Sequence, residues 1–182
     1  MESRLSQQLS TLLRDGVVTE VDHKHARCRV RSGENHTDYI PWFTPAAGQV
    51  RVWSPPSVGE QVQLLCRDGD MANAIALPAL FNDKFPAPSC KPGMVLVEFA
   101  DRSRLTYDST AHALAAELSS GSTVSIVASG GVRIAGNVTI TGDVNIEGRA
   151  VATDDVLGGG VSLKNHTHGA VQPGSGNSGP PE

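Results

Sequence analysis

Aromatic residues are scarce: four phenylalanines, two tyrosines and two tryptophans make up 4% of 182 residues. That is lean material for one large globular core. Cysteine is equally uninformative as a framework. Cys28, Cys66 and Cys90 are odd in number and widely spaced, with no C-x-x-C, so neither a disulfide scaffold nor a zinc knuckle is indicated. No apolar run approaches the ~18 residues of a membrane-spanning helix. Met1-Glu2-Ser3 does not open a basic, apolar leader, so synthesis and assembly in the cytoplasm are expected. Basic charge is not in excess either. The net charge of −4 is spread along the chain, which disfavours a nucleic-acid partner.

What the chain has in quantity is turn-forming residues, 19 glycines and 11 prolines, a composition suited to short strands stabilised by assembly. The most regular stretch runs from Gly136 to Gly148. Glycine recurs at 136, 142 and 148, and Val138/Ile140 and Val144/Ile146 follow the first two. The frame extends back to Gly130, Val132 and Ile134, and weakly forward to Ala150 and Ala152. Residues two apart share one face of an extended chain, and a glycine every sixth residue lets it bend; a plain edge hairpin has no such glycines. This is a hexapeptide β-helix signature. One chain needs about three hexads per turn and several turns to bury a core. The strict repeat covers scarcely more than one turn, so three chains, each supplying one wall of a triangular prism, are expected to close around Val132, Ile134, Val138, Ile140, Val144 and Ile146.

Upstream, Leu5, Leu9, Leu12 and Leu13 form the stripe of a short amphipathic helix, with Gly16 available as its C-cap. Strands are predicted at Val17–Val21, Ala26–Arg31, Asp38–Phe43, Gln49–Trp53, Gln61–Cys66 and Ala74–Leu80, between turns such as Pro55–Gly59. Such strands fit a small closed barrel of the oligonucleotide/oligosaccharide-binding (OB) type. Its basic cluster Lys24, Arg27, Arg29 and Arg31 is offset by Glu20, Asp22 and Glu34 and has no aromatic stacking ladder, so a scaffold barrel is favoured over a nucleic-acid reader. Phe85–Gly93 is proline-rich and reads as a linker. Strands then follow at Met94–Phe99, Arg104–Tyr107 and Ala113–Leu118, the last chosen over a helix because Leu114, Ala116 and Leu118 alternate; Thr123–Ala128 alternates into the hexads.

The expected architecture is mostly β. It comprises an N-terminal helix over 1–15, the barrel over 16–85, a linker over 86–92, a trimeric β-helix shaft over 93–160 and a metal-capped apex over 161–182. At the apex, His166 and His168 point the same way on an extended chain, their Cα atoms ~6.5–7 Å apart. A three-fold axis turns that pair into six imidazoles in two layers, an octahedral nitrogen cage suited to iron(II), nickel or cobalt rather than tetrahedral zinc. Asn165 and Thr167 are candidate outer partners. His23-Lys24-His25 lies at a hairpin turn and is read, with His36 and His112, as solvated.

Three features taken together carry a resemblance. They are the barrel with Pro56-Ser57-Val58-Gly59-Glu60-Gln61-Val62, the Gly-x-Val-x-Ile shaft, and Ser162-Leu163-Lys164-Asn165-His166-Thr167-His168 near the end. In this order they resemble the baseplate assembly protein V family, the central tail spikes of contractile-tailed phages, over nearly the whole chain. The resemblance implies that the barrel attaches to a baseplate hub protein and that the trimeric shaft carries a pointed apex. There, His166 and His168 of three chains bind one iron, and the apex perforates the host outer membrane. It implies a virion structural protein, needed for baseplate assembly, without enzymatic activity, nucleic-acid partner or small-molecule substrate. Asp101-Arg102-Ser103 departs from the family's Asp-Gly-Ser. Two alternatives remain: the equivalent spike of a contractile secretion or bacteriocin machine, and a hexapeptide-repeat acyltransferase. Against the latter, the repeat is short and no loop within the coils carries an isolated histidine, His112 preceding the strict hexads.

Overall fold

A computed structural model describes residues 11–167 and 174. The chain divides into two units, residues 1–124 and 125–182. The first opens with five strands: β1 (Leu13–Asp22), β2 (Arg27–Ser32), β3 (Asn35–His36), β4 (Gln61–Cys66) and β5 (Ala74–Leu80), in the sheet order β3-β2-β1-β4-β5. Every second residue turns inward, as strand geometry requires. Val18, Cys28, Val30, Val62, Leu64, Cys66, Ala74 and Ala76 thereby form the core with Ile40.

Asp38–Phe43 is not a full strand. It closes the barrel by single bridges, Ile40 to Cys28 of β2 and Trp42 to Ala76 of β5. Pro41 has no amide to donate, so the ladder cannot run through it. Gln49–Trp53 is likewise a loop rather than a strand, folded on itself through a bridge between Ala47 and Arg51. The N-terminal boundary also moves. Leu5 and Leu9 lie outside the described residues, Thr11 and Leu12 are helical, and β1 begins at Leu13. Asp15 and Gly16 are therefore ladder residues paired with Gln63 and Val62, not a helix end. Gly16 is required by packing: a Cβ there would lie 2.4 Å from Cγ1 of Val30.

Glu60 ties the loop before β4 to the end of β5, accepting from the amides of Ser57 (2.8 Å) and Ala79 (2.9 Å). Pro78 interrupts the β5 ladder, and the carboxylate takes the amide that the ladder leaves over. After the proline-rich segment, β6 (Met94–Glu98), β7 (Arg104–Asp108) and β8 (Ala113–Glu117) form an antiparallel sheet. Ala113–Glu117 is a strand despite its alanines, because Leu114 and Ala116 pair with Tyr107 and Leu105. This sheet belongs to the first unit, which runs past the expected linker as far as Val124.

The segment Thr123–Ala128, where the second unit begins, and the hexads after it make no strand ladder within the chain. Among the described residues of that unit, the only strands are β9 (Leu157–Gly158) and β10 (Val161–Ser162). None of the described helical segments is long and apolar enough to cross a membrane.

Candidate functional site

The hexad repeat has a repeating backbone. The chain bends at Gly136, Gly142 and Gly148. Gly136 and Gly142 adopt φ of 140° and 128°, a region that L side chains rarely enter, so the first two glycines meet the same conformational need. Before and between those bends Val132, Ile134, Val138, Ile140, Val144 and Ile146 all stand 56–70% exposed in the single chain. Among the described residues, no backbone amide or carbonyl from Val132 to Thr153 hydrogen-bonds to another backbone group. The stretch thus leaves both its apolar face and its backbone groups without partners in its own chain.

The segment after the hexads is built on a two-residue turn. Gly159 and Gly160, at φ 59° and 86°, reverse the chain so that Val161 and Ser162 pair with Gly158 and Leu157. Asp155 fastens the following segment: its Oδ1 accepts from the amides of Val156 (2.8 Å) and Lys164 (3.1 Å). A hydrogen bond from the Ser162 side chain, the largest influence, together with these amides holds the Asp155 carboxyl below the usual carboxylate range. Ser162 Oγ accepts from the Asn165 amide at 2.8 Å. His166 then lies with Nδ1 3.1 Å from the Ser162 carbonyl oxygen and 3.2 Å from that of Leu163.

Both neighbours are acceptors, so Nδ1 carries the proton and donates. The lone pair of neutral His166 is then on Nε2, the tautomer in which an imidazole that is held by a carbonyl ligates a metal. The donor chemistry therefore fits a metal. His168 lies outside the described residues, and among those described no group of three or more His, Cys, Asp or Glu is gathered around one point. Asn165 engages Ser162 through its backbone rather than its side chain. The sequence names Ser162 only as part of the motif around His166 and gives Asp155 no role; the aspartate pair Asp154-Asp155, two residues before three glycines, was the available signal.

The other H-x-H is a turn lock. Asp22 accepts from the amides of Lys24 (3.0 Å) and His25 (3.2 Å), and its second oxygen meets His25 Nδ1 at 2.7 Å.

A family model described as the type VI secretion system/phage-baseplate injector OB domain matches residues 14–81, and the GpV apex motif matches 160–182. The spike protein of Escherichia phage P2 is 36% identical over 128 residues, which is 70% of this chain and 60% of that protein. The chain belongs to the phage baseplate spike family. The family's OB domain coincides with the five-stranded barrel, and its apex motif takes in the β9–β10 turn from Gly160 onwards, including His166 and His168. The matched region spans 60% of the length of the phage P2 relative. The acyltransferase alternative is not favoured by these matches.

Proposed function

We propose that three copies of this chain form the spike at the centre of a contractile baseplate, in a virion assembled in the host cytoplasm. The barrel holds the spike to the hub protein and the hexads wind into a shaft. When the sheath contracts, the tip is driven through the host outer membrane. The spike takes part in baseplate assembly and has no turnover: its task is to stay straight under axial load. Three mutually wrapped chains suit that task, since none can unfold without breaking its contacts with the other two.

The observation that carries this reading is the exposed Val/Ile face with its unpaired backbone, followed directly by the apex motif. Burying six such side chains is worth on the order of 10 kcal/mol per chain, enough to drive assembly. His166 and His168 of each copy would hold one iron ion. The ion would supply a cross-link where the chains run out of packing partners. Iron follows from the family resemblance; the His166 tautomer supports a metal of some kind.

Light scattering on the untagged chain should give three copies, with about one metal ion per trimer by elemental analysis. His166→Ala and His168→Ala should each remove the metal and leave the trimer intact, whereas His23→Ala and His25→Ala should not change metal content. Imidazole binds a metal only when neutral, so acidification should release the ion. A stable monomer at micromolar concentration would overturn the shaft, and metal retained in both apex mutants would overturn the tip. The equivalent spike of a secretion machine is a second reading, favoured by a family description that covers both devices.

A further inference from the structure

Both tryptophans of the chain line one cavity on the barrel. Trp42 and Trp53 pack with ring centroids 5.8 Å apart and planes inclined at 55°, and Trp53 is still 61% exposed. The hollow beside them has a volume of about 410 Å³, with Pro41 and Val52 among its walls. Its only charged lining residues are Arg27 and Arg51.

Short bonds hold the indoles in place. The Ala76 amide donates to the Pro41 carbonyl and the Phe43 amide to the Ala76 carbonyl, each at 2.9 Å, which fixes Trp42 between them. The loop carrying Trp53 is closed by Val52 N to Ala46 O at 3.0 Å and Thr44 Oγ1 to Val52 O at 2.6 Å. A pocket already shaped before binding costs little to order.

The charge is equally available. Among the described residues neither arginine forms an ion pair, and Arg27 Nη1 donates only to the neighbouring Ala26 carbonyl at 3.3 Å. Arg27 also lines an adjoining hollow with Arg67 and Asn73, and Arg67 too has no ion pair among those residues. The surface thus passes from indoles to guanidiniums at Arg27. Trp and Arg in a desolvated pocket are the commonest makers of binding hot spots.

We propose that this groove docks a segment of a partner protein that carries an aromatic or long aliphatic anchor followed by carboxylates. The anchor enters between Trp42, Trp53 and Val52, and the carboxylates reach Arg27 and Arg51, whose planar guanidiniums suit them. Single-stranded nucleic acid fits less well: its bases need successive open stacking faces, whereas these two rings pack against each other at an angle. The inference rests on the barrel's role as the attachment module and names the chemistry of the surface it would attach to.

With no other tryptophan in the chain, intrinsic fluorescence reports on the groove directly. The full chain is titrated with a short synthetic peptide in which a Leu-Phe pair is flanked by glutamates. Saturable binding at least about tenfold tighter than that of the lysine-flanked analogue is expected. Arg27→Glu with Arg51→Glu should reverse the preference; both positions are exposed, so the barrel should keep its circular dichroism. Trp53→Ala should weaken the acidic probe by a similar factor. Equal response to acidic and basic probes, or no saturable response, overturns the proposal. So does displacement by oligothymidine, or a lower oligomer mass in Trp53→Ala, which would make the occupant a second copy. Baseplate attachment is read separately by co-purification with the hub. Groove variants that bind the hub at full strength overturn the groove alone. A wild-type chain that binds the acidic probe and enters no baseplate overturns the attachment role.

Discussion

Asp101 and Asp108 hold the ends of the β7 strand. Asp101 accepts from the Ser103 amide (3.0 Å), the Ser103 hydroxyl (2.9 Å) and the Ser119 hydroxyl (2.9 Å), and Ser103 is 5% exposed. The Ser103 amide, followed by the Ser119 and Ser103 hydroxyls, depresses its pKa. Lys91, then the Ala111 and Thr110 amides, hold Asp108 down from 3.8 to about 2. A carboxylate depressed in the folded state contributes stability above its unfolded pKa and loses it as pH falls through the folded value. The β6–β8 sheet should therefore keep constant stability from neutral pH to about 4, then weaken towards about pH 2. Circular dichroism against pH checks this, and Asp108→Asn should flatten the drop. Arg102, between Asp101 and Ser103, sits at φ 69°, a conformation that favours glycine. The turn forms despite the side chain. Arg102→Gly should leave stability unchanged or raise it by up to ~1 kcal/mol, while Arg102→Val should lower it by about 1 kcal/mol or more in thermal unfolding, because a β-branched residue resists that φ.

At the scale of elements, β1 depends on its glycine. Val30 of β2 presses on the backbone at Gly16, so Gly16→Ala should destabilise the barrel by about 1–3 kcal/mol in denaturant titration through overpacking. An unchanged midpoint would mean that β2 moves aside at no cost. In the proposed shaft the dependence is reversed, since the apolar groups of the hexads lack partners in their own chain. If three copies wind together as proposed, Ile140→Asp or Ile146→Asp would converge three carboxylates on one axis without counter-charge and should prevent assembly. Normal trimer yield from either variant would place those side chains outside.

For the whole molecule, the question is which part assembles without the other. The expected linker is tied at both ends: the Phe85 amide donates to Asn82 Oδ1 at 2.8 Å, and Lys91 pairs with Asp108. A cut between Pro86 and Pro92 should nevertheless release a C-terminal fragment that trimerises, because the unmatched Val/Ile face lies entirely beyond the cut. Light scattering and circular dichroism of a fragment from Gly93 decide this. A fragment that stays unfolded would show that the barrel nucleates the shaft.

Local periodicity was enough to predict β2, β4 and β5, whose buried residues alternate, to place a strand at β8 although its Leu114 stays exposed, and to mark the six-residue spacing whose glycines now lie at the bends. The motif around His166 was legible as well, and it falls within the residues that the apex model matches. Each of these signals lies within a few neighbouring residues and survives without knowledge of any partner. The helical stripe was carried too far at its C-terminal end because β4 competes for Leu13 to Gly16: Leu13 pairs with Leu65 and Gly16 with Val62, about fifty residues away. Asp38–Phe43 and Gln49–Trp53 have strand composition, yet Pro41 and a loop closed on itself limit them to single bridges. The meeting of Trp42, Trp53, Arg27 and Arg51 in one groove was likewise decided only by the tertiary structure. Those contacts depend on where backbone segments cross, which no pattern of neighbouring side chains encodes.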